Sequence, residues 1–517
     1  MNIRCQKNII ELLPHIAIGG GYLISVFLLA KFGLMGLNSP HKFLNIVPIF
    51  VFLCFFIPEK ITFWWVVFPL SVLICLFSPV SYVYGNIDYQ VLISIIATNV
   101  GEASEFLQQV PIKIYLKAVL VPALALLAYF VSKKIAINPW NKKVLVFISV
   151  GVLTVYTKPT DFFYNFFSVY KETNDNLDEL KKYVNSSSWT NVVSDKDEKD
   201  YVIILGESAR KDYFHLYGYP IANTPFLDTV SGITVVDGFT SGGVYTIGAL
   251  TNMLTDGEKL AWKPRYDRNL IDLANSAGIK TYWLSNQGYI GVFDTPVTAI
   301  ANRSQEKIFL CKQKNASKNI SDFSLLPVFQ EKLNNNVKGK RLFILHTIGS
   351  HPDACRRVLD LKDSFKSRDY YFEYVACYIS SIKKADLFIS NVYDALNRHK
   401  VRTGRKFSII YVSDHGQIHS ELGGRLKLHN NAISKFHYDV PLIKIDSQGK
   451  GRFFVKNEKS GLNFTAGIAS WLGIEAEGQL EKYDLFDGVS DQTDFGLRNQ
   501  IESISGEPDP AVVIPLK

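Results

Sequence analysis

Two acidic residues and a histidine follow apolar runs that have the composition of buried strands. Glu207 comes two residues after the run Tyr201–Leu205, and Asp414 and His415 come just after the run Phe407–Val412. Carboxylate oxygens and an imidazole nitrogen suit a hard or borderline divalent cation. The pattern indicates a metal site for zinc or manganese. Alone, Glu207 could equally be a helix N-terminal residue, and the Asp-His pair could equally be a turn.

The histidines are concentrated in the same part of the chain. Seven of the ten lie between residues 346 and 437. His346 and His351 flank the end of another strand-like run, and His429 follows Asp414 by fifteen residues. These residues extend the candidate ligand set. Two histidines without such a placement are expected at the surface, namely His399 and His419.

A threonine hydroxyl is the candidate nucleophile. The segment Thr240–Thr246, TSGGVYT, precedes the helical run Ile247–Leu254. A helix N-terminus offers unpaired amide donors and the positive end of the helix dipole, which together suit a phosphate. Metal ligation can activate a hydroxyl there by lowering its pKa. Thr246 is therefore the candidate, and an ordinary N-cap role is the alternative.

The elements that position these residues alternate between strands and helices. Val-, Ile- and Leu-rich strands separated by helices predict a mainly parallel sheet covered on both faces. Ligands bind such sheets beyond the carboxyl ends of the strands, where the candidate residues fall. The predicted strands are Tyr201–Leu205, Ile233–Val236, Thr281–Leu284, Leu342–His346, Phe407–Val412 and Val440–Ile445, and the predicted helices include Asn269–Ala277, Leu325–Leu333 and Tyr374–Ala395.

The first 158 residues are mostly apolar and predict a transmembrane domain. A helix that crosses a bilayer needs about 20 apolar residues. Buried core helices are the alternative, but so many apolar runs in the first third of the chain argue against it. The five predicted spans are Ile10–Ala30, Phe43–Ile57, Ile61–Val83, Ile114–Val131 and Val144–Thr157.

Basic residues beside the spans predict the orientation. Most of them lie on one side if the N-terminus is cytoplasmic, whereas Lys31 and Lys42 lie on the other side. An odd number of spans then places the rest of the chain in the periplasm. Residues 159–199 are predicted to form an interfacial helix and a linker, and residues 200–517 a soluble domain.

The predicted periplasmic loop 85–111 carries a polar face. Ser94, Thr98 and Glu102 recur every four residues, which places them on one side of a helix. That face could meet a lipid head group, or it could be the solvated face of an ordinary amphipathic helix.

Charge and cysteine content narrow the functional classes. The net charge of +8 is spread along the chain without a basic stripe, which argues against nucleic-acid binding. Six cysteines are too few for a disulfide scaffold. In a periplasmic domain Cys355 and Cys377 could pair, which would leave Cys311 outside the bond.

The order of these motifs resembles the membrane phosphoethanolamine transferases of the alkaline phosphatase/sulfatase superfamily. GESAR, TSGGVYT, HTIGSH, SDHG and a later His follow one another, and TNVGEASEF lies in the predicted periplasmic loop. The resemblance implies five transmembrane helices and an alkaline-phosphatase-like α/β/α domain. It also implies one or two zinc ions, or less readily manganese, with Thr246 as nucleophile. The implied metal ligands are Glu207, Thr246, Asp414 and His415, and the implied holders of the phosphoryl group or of a second zinc are His351 and His429.

The resemblance further implies the substrates. Thr98 and Glu102 would contact the ethanolamine head group, with Ser94 standing where the family often has Asn. Phosphoethanolamine would pass from phosphatidylethanolamine, through a phosphothreonine-type intermediate, to lipopolysaccharide at the bacterial inner membrane. A phosphoglycerol transferase of the same superfamily and a non-catalytic envelope sensor or scaffold are the alternatives.

Two departures from the family bear on the acceptor. Lipid A–modifying members resemble one another in a cysteine pair that brackets the nucleophile loop, and Gly242 and Asn252 stand at those positions here. The loop Ser285–Asp294, SNQGYIGVFD, does not show the family's Ser and Lys. Its amide and carboxylate side chains suit sugar hydroxyls, whereas a phosphate favours Lys or Arg. The prediction is therefore a core sugar of lipopolysaccharide rather than a lipid A phosphate.

Overall fold

The chain forms two compact units, Met1–Leu92 with Phe106–Glu172, and Ile93–Glu105 with Thr173–Lys517. We call them the membrane unit and the catalytic unit. The computed structural model describes residues 3–39, 41–84, 92, 100–135, 158–183, 185–258, 263–289, 295–312, 319–430, 433–504 and 506–517.

Three described helices are long and apolar enough to cross a membrane. They cover Ala17–Gly36, Lys60–Val83 and Ile112–Ser132, and Phe43–Phe56 is a shorter apolar helix. The predicted count of five is not reached among these residues, and the predicted span Val144–Thr157 lies outside them. The helices in this part of the chain are Ile3–Gly36, Phe43–Phe56, Lys60–Thr62 continuing through the π-helical turn Phe63–Val67 into Phe68–Tyr84, Val100–Gln109, Ile112–Ser132 and Lys158–Tyr183.

The membrane unit has its own apolar core. Val26 and Leu29 of the first helix pack with Val121 and Ala125 of the helix Ile112–Ser132. Ala125 and Ala128 of this cluster are small, and small side chains let helix backbones approach closely, as is usual between membrane helices. Large apolar side chains point outward from the same helices, with Trp65 exposed by 80%. An outward apolar surface is the surface that lipid requires.

The catalytic unit is built on one mixed eight-stranded sheet in the order β11-β3-β10-β7-β2-β6-β4-β5. Seven strands run in one direction, and β10 lies antiparallel between β3 and β7. The predicted mainly parallel sheet is thus confirmed, with one reversed strand. The strands are β1 Val192–Ser194, β2 Lys199–Gly206, β3 Ile233–Thr240, β4 Lys280–Tyr289, β5 Glu306–Lys312, β6 Arg341–His346, β7 Lys406–Ser413, β8 Ile418–Leu422, β9 Arg425–His429, β10 Leu442–Asp446, β11 Arg452–Ser460 and β12 Ile474–Ala476.

Helices cover both faces of this sheet. One face carries the long helix Glu373–Thr403, whose Ile379 and Ile389 join a core with Val202 of β2. The other face carries shorter helices, whose Leu250 and Ile468 join a second core with Ile203 of β2. Successive side chains of a buried strand point into the cores on opposite faces of the sheet, which explains why the whole strand is apolar. The helices of at least six residues are Thr246–Met253, Leu270–Ser276, Pro296–Ala301, Leu325–Leu333, Glu373–Thr403, Phe464–Trp471 and Leu497–Ser503.

The segment predicted as an interfacial helix and linker is partly regular. The helix Lys158–Tyr183 covers the first part of this segment. Beyond it, β1 pairs antiparallel with β12, with Val193 opposite Glu475. The two valines of β1 are β-branched, which favours a strand over a flexible linker.

Candidate metal centre and nucleophile

The pairing of two parallel strands places the acidic residues together. Gly206 at the end of β2 lies opposite Ser413 at the end of β7. Glu207 and Asp414 therefore leave the sheet side by side, and His415 follows. One ligand atom from each of these three residues lies within 4.8 Å of the others, and all three side chains are buried. The structure thus brings together three of the four predicted metal ligands.

Thr246 lies against this cluster. Its Oγ1 is 3.0 Å from Oε2 of Glu207 and 3.3 Å from Nε2 of His415. The residue is the first of the helix Thr246–Met253, and the N-cap is Tyr245. The alternative N-cap role for Thr246 is therefore excluded. Its hydroxyl faces the candidate ligands at a helix N-terminus.

A backbone contact orients the imidazole of His415. Its Nδ1 lies 2.7 Å from the carbonyl oxygen of Gly416. Because a carbonyl only accepts, Nδ1 carries a proton, and Nε2 is the nitrogen that can bind a metal once it is deprotonated. That Nε2 atom is 3.4 Å from Oε1 of Glu207. The metal-binding nitrogen of His415 therefore faces the cluster.

Asp414 has one satisfied and one unsatisfied oxygen. Its Oδ1 accepts hydrogen bonds from the backbone N–H groups of Ser208 and His415, at 2.9 and 2.7 Å. Its Oδ2 is buried and has no hydrogen-bond partner among the described residues. Burial and the neighbouring Glu207 carboxylate raise the pKa of Asp414 to about 8. A buried unpaired carboxylate oxygen is costly unless a cation or proton meets it.

The charges of the other two ligands depend on each other. Burial would raise the pKa of Glu207, but the adjacent His415 outweighs it and lowers this pKa. Burial would lower the pKa of His415, but Asp414 and Glu207 raise it to about 9. Two carboxylates and one imidazole, with one buried carboxylate oxygen that accepts no hydrogen bond from the described residues, form a donor set that fits a divalent cation.

Residues from three segments of the chain hold Glu207 in place. Ser208, in the left-handed region at φ 57°, donates its hydroxyl to Oε1 of Glu207 at 2.7 Å. The Nε2 group of Gln287 donates to Oε2 of Glu207 at 3.2 Å and to the carbonyl of Thr347 at 2.8 Å. Gly349 is also left-handed, and a Cβ there would lie 2.8 Å from the Glu207 backbone nitrogen. Only glycine fits this close approach.

The sequence did not predict the contact between Gln287 and Glu207, because the Gln287 side chain was expected to bind the acceptor. Its neighbour Asn286 is also used internally, since its Nδ2 group donates to the carbonyl of Ile320 and to Oδ1 of Asp322, both at 2.8 Å. A glutamine after a strand carries no pattern that would have revealed either contact.

The other predicted site residues that the structure describes do not belong to the cluster of Glu207, Asp414 and His415. His351 lies close enough to Glu207 to help lower its pKa, and Nδ1 of His351 is 3.5 Å from Nη2 of Arg357. His429 ends β9 and is buried, and burial lowers its pKa to about 3. Neither belongs to the three-ligand cluster. Of the predicted head-group residues, Glu102 lies in the helix Val100–Gln109, whereas Ser94 and Thr98 lie outside the described residues.

Two histidines predicted at the surface are buried, so that prediction was wrong. Nε2 of His399 is 3.2 Å from Nη2 of Arg341. Nδ1 of His419 is 2.7 Å from Oδ1 of Asp509, and its side chain is 6% exposed. Both rings lie in charged networks that include residues distant in sequence, Arg341 for His399 and Asp509 for His419.

The loop that carries Thr246 is closed by a hydrogen bond. The Nδ2 group of Asn252 donates to the carbonyl oxygen of Gly242 at 2.8 Å. These are the two positions at which the predicted cysteine pair is missing. The loop and the helix Thr246–Met253 are therefore tied together without a disulfide.

The predicted pairing of Cys355 with Cys377 is confirmed, since the two residues form a disulfide. Cys311 lies outside it and is buried. The bond joins the segment after His351 to the helix Glu373–Thr403.

The fold and the site define the class of protein. A mixed α/β sheet with helices on both faces, a Glu and an Asp-His at strand ends and a Thr at a helix start characterise an alkaline-phosphatase-like enzyme. The sequence profile of the sulfatase family matches residues 199–474. The chain belongs to this family, and within it to the phosphoethanolamine transferases, as the order of its motifs indicated.

Similar proteins support this assignment. A Haemophilus influenzae protein provisionally named as a phosphoethanolamine transferase is 42% identical over 371 residues, which cover 70% of this chain and 75% of that protein. Phosphoethanolamine transferase OpgE of Escherichia coli is 29% identical over 434 residues, 79% of each chain. The structure of the integral membrane protein lipooligosaccharide phosphoethanolamine transferase A of Neisseria meningitidis has the same fold, with 18% identity, a TM-score of 0.61 and coverage of 88% of this chain and 96% of that one.

Proposed function

We propose that this chain moves phosphoethanolamine from phosphatidylethanolamine to lipopolysaccharide through an ester on Thr246. The observation that carries the proposal is the position of the Thr246 hydroxyl, 3.0 Å from Glu207 and 3.3 Å from His415. A hydroxyl so placed, at a helix N-terminus, can attack a phosphorus atom while the helix amides bind the phosphoryl oxygens.

Zinc is the proposed cation, held by Glu207, Asp414, His415 and Thr246. The crystal structure of the periplasmic domain of Escherichia coli EptC in complex with Zn shares this fold, at 20% identity and a TM-score of 0.50. When bound, the ion would lower the pKa of the hydroxyl and offset charge on the phosphoryl oxygens. We further propose that His351 and His429 hold the phosphoryl group or a second zinc.

The proposed reaction has two displacements. In the first, the Thr246 hydroxyl directs its proton toward Glu207, and its oxygen attacks the phosphorus of the donor. The bond from phosphorus to the glycerol oxygen breaks, and diacylglycerol leaves with a proton. In the second, an acceptor hydroxyl attacks the same phosphorus and returns the threonine hydroxyl. Amides at the start of the helix Thr246–Met253 can stabilise the non-bridging oxygens in both displacements.

Features in the rest of the chain support the proposed donor and acceptor. The apolar helices suit an inner-membrane protein that takes its donor from the bilayer, with the catalytic unit in the periplasm. Ser94, Thr98 and Glu102 are the proposed contacts for the ethanolamine group, where a carboxylate would suit its ammonium. The loop Ser285–Asp294 has no Lys or Arg. We therefore favour a core sugar over a lipid A phosphate as acceptor.

The experiment gives purified full-length protein two donors, phosphatidylethanolamine and phosphatidylglycerol, with lipopolysaccharide as acceptor. We expect diacylglycerol release and a phosphoethanolamine adduct on Thr246, located by mass spectrometry of peptides. The modified lipopolysaccharide should carry the group on a core sugar. A phosphoglycerol adduct instead would favour the phosphoglycerol transferase, and no adduct from either donor would favour the scaffold role.

A further inference from the structure

Two lysines lie inside helices that are otherwise apolar enough to cross a membrane. Lys31 lies in Ala17–Gly36 and Lys117 in Ile112–Ser132. Ionisable groups within such helices are costly to place, and those that are kept usually serve a ligand or an ion. The predicted orientation does not account for Lys31, which stands on the side of the membrane opposite to most flanking basic residues.

Both lysines line one cavity in the membrane unit, with a volume of about 510 Å³. Among the described residues, none that lines the cavity is acidic, and neither lysine has a hydrogen bond or an ion pair. The remaining wall residues are His41 and the apolar Phe27, Phe32, Met35, Phe43 and Ile46.

The two lysines lie at a depth in the membrane from which their ammonium groups can reach a lipid phosphate. Each lies five residues from the end of its helix, at Gly36 and at Ile112 respectively. At about 1.5 Å per residue this is roughly 7.5 Å along the axis, within reach of the head-group region for a lysine side chain. The phenylalanines of the same cavity wall offer an apolar surface on which acyl chains can pack.

We propose that this cavity binds an anionic phospholipid, with its phosphate at Lys31 and Lys117 and its acyl chains against Phe27, Phe32 and Phe43. The wall discriminates between head groups. A zwitterionic head group would bring its ammonium beside two cations with no carboxylate to meet it, whereas a net negative head group meets only favourable charge. The ligand is therefore distinct from the phosphatidylethanolamine donor, and the inference does not rest on the proposed reaction.

Native mass spectrometry of the full-length protein in detergent tests the site. Phosphatidylglycerol and phosphatidylethanolamine are titrated in separate experiments. The double variant Lys31→Gln/Lys117→Gln should bind phosphatidylglycerol about thirtyfold more weakly than the wild type, because it loses two lysines that each contribute about 1 kcal/mol near a lipid surface. The variant Lys31→Arg/Lys117→Arg, which keeps both charges, should retain the affinity.

The matched control is Lys42→Gln/Lys113→Gln, which removes two exposed lysines from outside the cavity wall. It should bind phosphatidylglycerol like the wild type. Equal binding by the cavity variant, or an equal loss in the control, would overturn the site. Wild-type protein gives a test that needs no variant, because equal affinity for the two lipids would also overturn the proposal.

Discussion

The hydroxyl oxygen of Thr246 lies 3.0 Å from Oε2 of Glu207, although 39 residues separate them in the chain. The contact joins the first residue of a helix to the end of the central strand β2. A tight loop makes it possible, because a Cβ on Gly243 would lie 2.8 Å from the backbone nitrogen of Ala249. The glycines of TSGGVYT therefore let the loop fold onto its own helix and present the hydroxyl to the cluster.

Removal of this hydroxyl should stop transfer without unfolding the protein. Thr246→Ala should lower the turnover number by about 10³-fold or more, the scale seen when a nucleophile is removed. Thr246→Ser keeps an oxygen at the same place and should retain measurable activity. Diacylglycerol release and thermal unfolding are the two measurements. Normal turnover by the alanine variant would exclude Thr246 as nucleophile.

The variant Asp414→Asn distinguishes the role of Asp414 in metal binding from its role in the stability of the fold. The amide oxygen can still accept the two backbone N–H bonds that Oδ1 of Asp414 accepts, while the charge facing Glu207 is lost. Zinc at about 100 times its Kd should stabilise the wild type by about 2.7 kcal/mol and the variant far less. Without metal the variant should be about as stable as the wild type at neutral pH, because a pKa of about 8 already leaves Asp414 mostly protonated and uncharged. Calorimetric unfolding of both proteins, with and without a chelator, measures this, and an unchanged zinc response in the variant would contradict the ligand assignment.

The site was most predictable from the sequence where residues of metal-ligand type follow the end of a predicted strand. Glu207 and Asp414 were predictable as neighbours, because parallel strands in adjacent positions bring their carboxyl ends together. The edge strands β5 and β11 were missed because lysines and glutamates interrupt their apolar pattern, as is common at sheet edges. Their positions depend on neighbours in the sheet rather than on local composition.

Contacts between distant segments were the least predictable part of the site. Gln287 reaches Glu207 only because β4 extends beyond its apolar run to Tyr289. His419 is buried because Asp509, 90 residues away, and Arg210 form a charged network around it. No local pattern encodes such partners, so polar residues in these networks have the sequence signature of surface residues.

The stability of the protein should fall in acid partly through His346. Burial lowers the pKa of this imidazole to about 4, and Glu207 opposes the shift only in part. Its contribution is therefore fully present above the unfolded pKa of about 6.5 and is lost as the pH falls toward 4. Between pH 6.5 and 5 the wild type should lose about 2 kcal/mol more than His346→Gln.

Chemical unfolding at several pH values measures this difference in full-length protein. His41→Gln, which removes an exposed histidine of the membrane unit, is the matched control and should follow the wild type. Parallel pH profiles for the wild type and His346→Gln would show that His346 is not the group responsible.

The disulfide between Cys355 and Cys377 should stabilise the catalytic unit. It closes a segment of 22 residues, for which chain entropy predicts about 3 kcal/mol. Cys355→Ser/Cys377→Ser should lower the free energy of unfolding by about that amount, whereas Cys75→Ser in the membrane unit should leave it nearly unchanged. Thiol counting on unreduced, denatured protein checks the bond itself, and reactive thiols at both positions would show that it does not form.

The hydrogen bond from Asn252 to Gly242 should be needed to hold the nucleophile loop. Asn252→Ala removes the donor that closes the loop at 2.8 Å and leaves a carbonyl without this bond. We expect a loss of about 1 kcal/mol in stability and a larger loss in turnover number than in apparent substrate affinity, because the position of Thr246 is disturbed. Asn252→Gln keeps an amide on a longer chain and is the matched comparison.

A disulfide at the same two positions should replace the hydrogen bond. An ideal Cβ on Gly242 would lie 3.1 Å from Cβ of Asn252, and 3.1 Å from the carbonyl oxygen of Ala249. A bond between Gly242→Cys and Asn252→Cys therefore needs only small local shifts. The oxidised double variant should regain the turnover lost in Asn252→Ala, and reduction should abolish the gain. Full activity in Asn252→Ala, or equal activity of the oxidised and reduced double variant, would show that closure of this loop does not position Thr246.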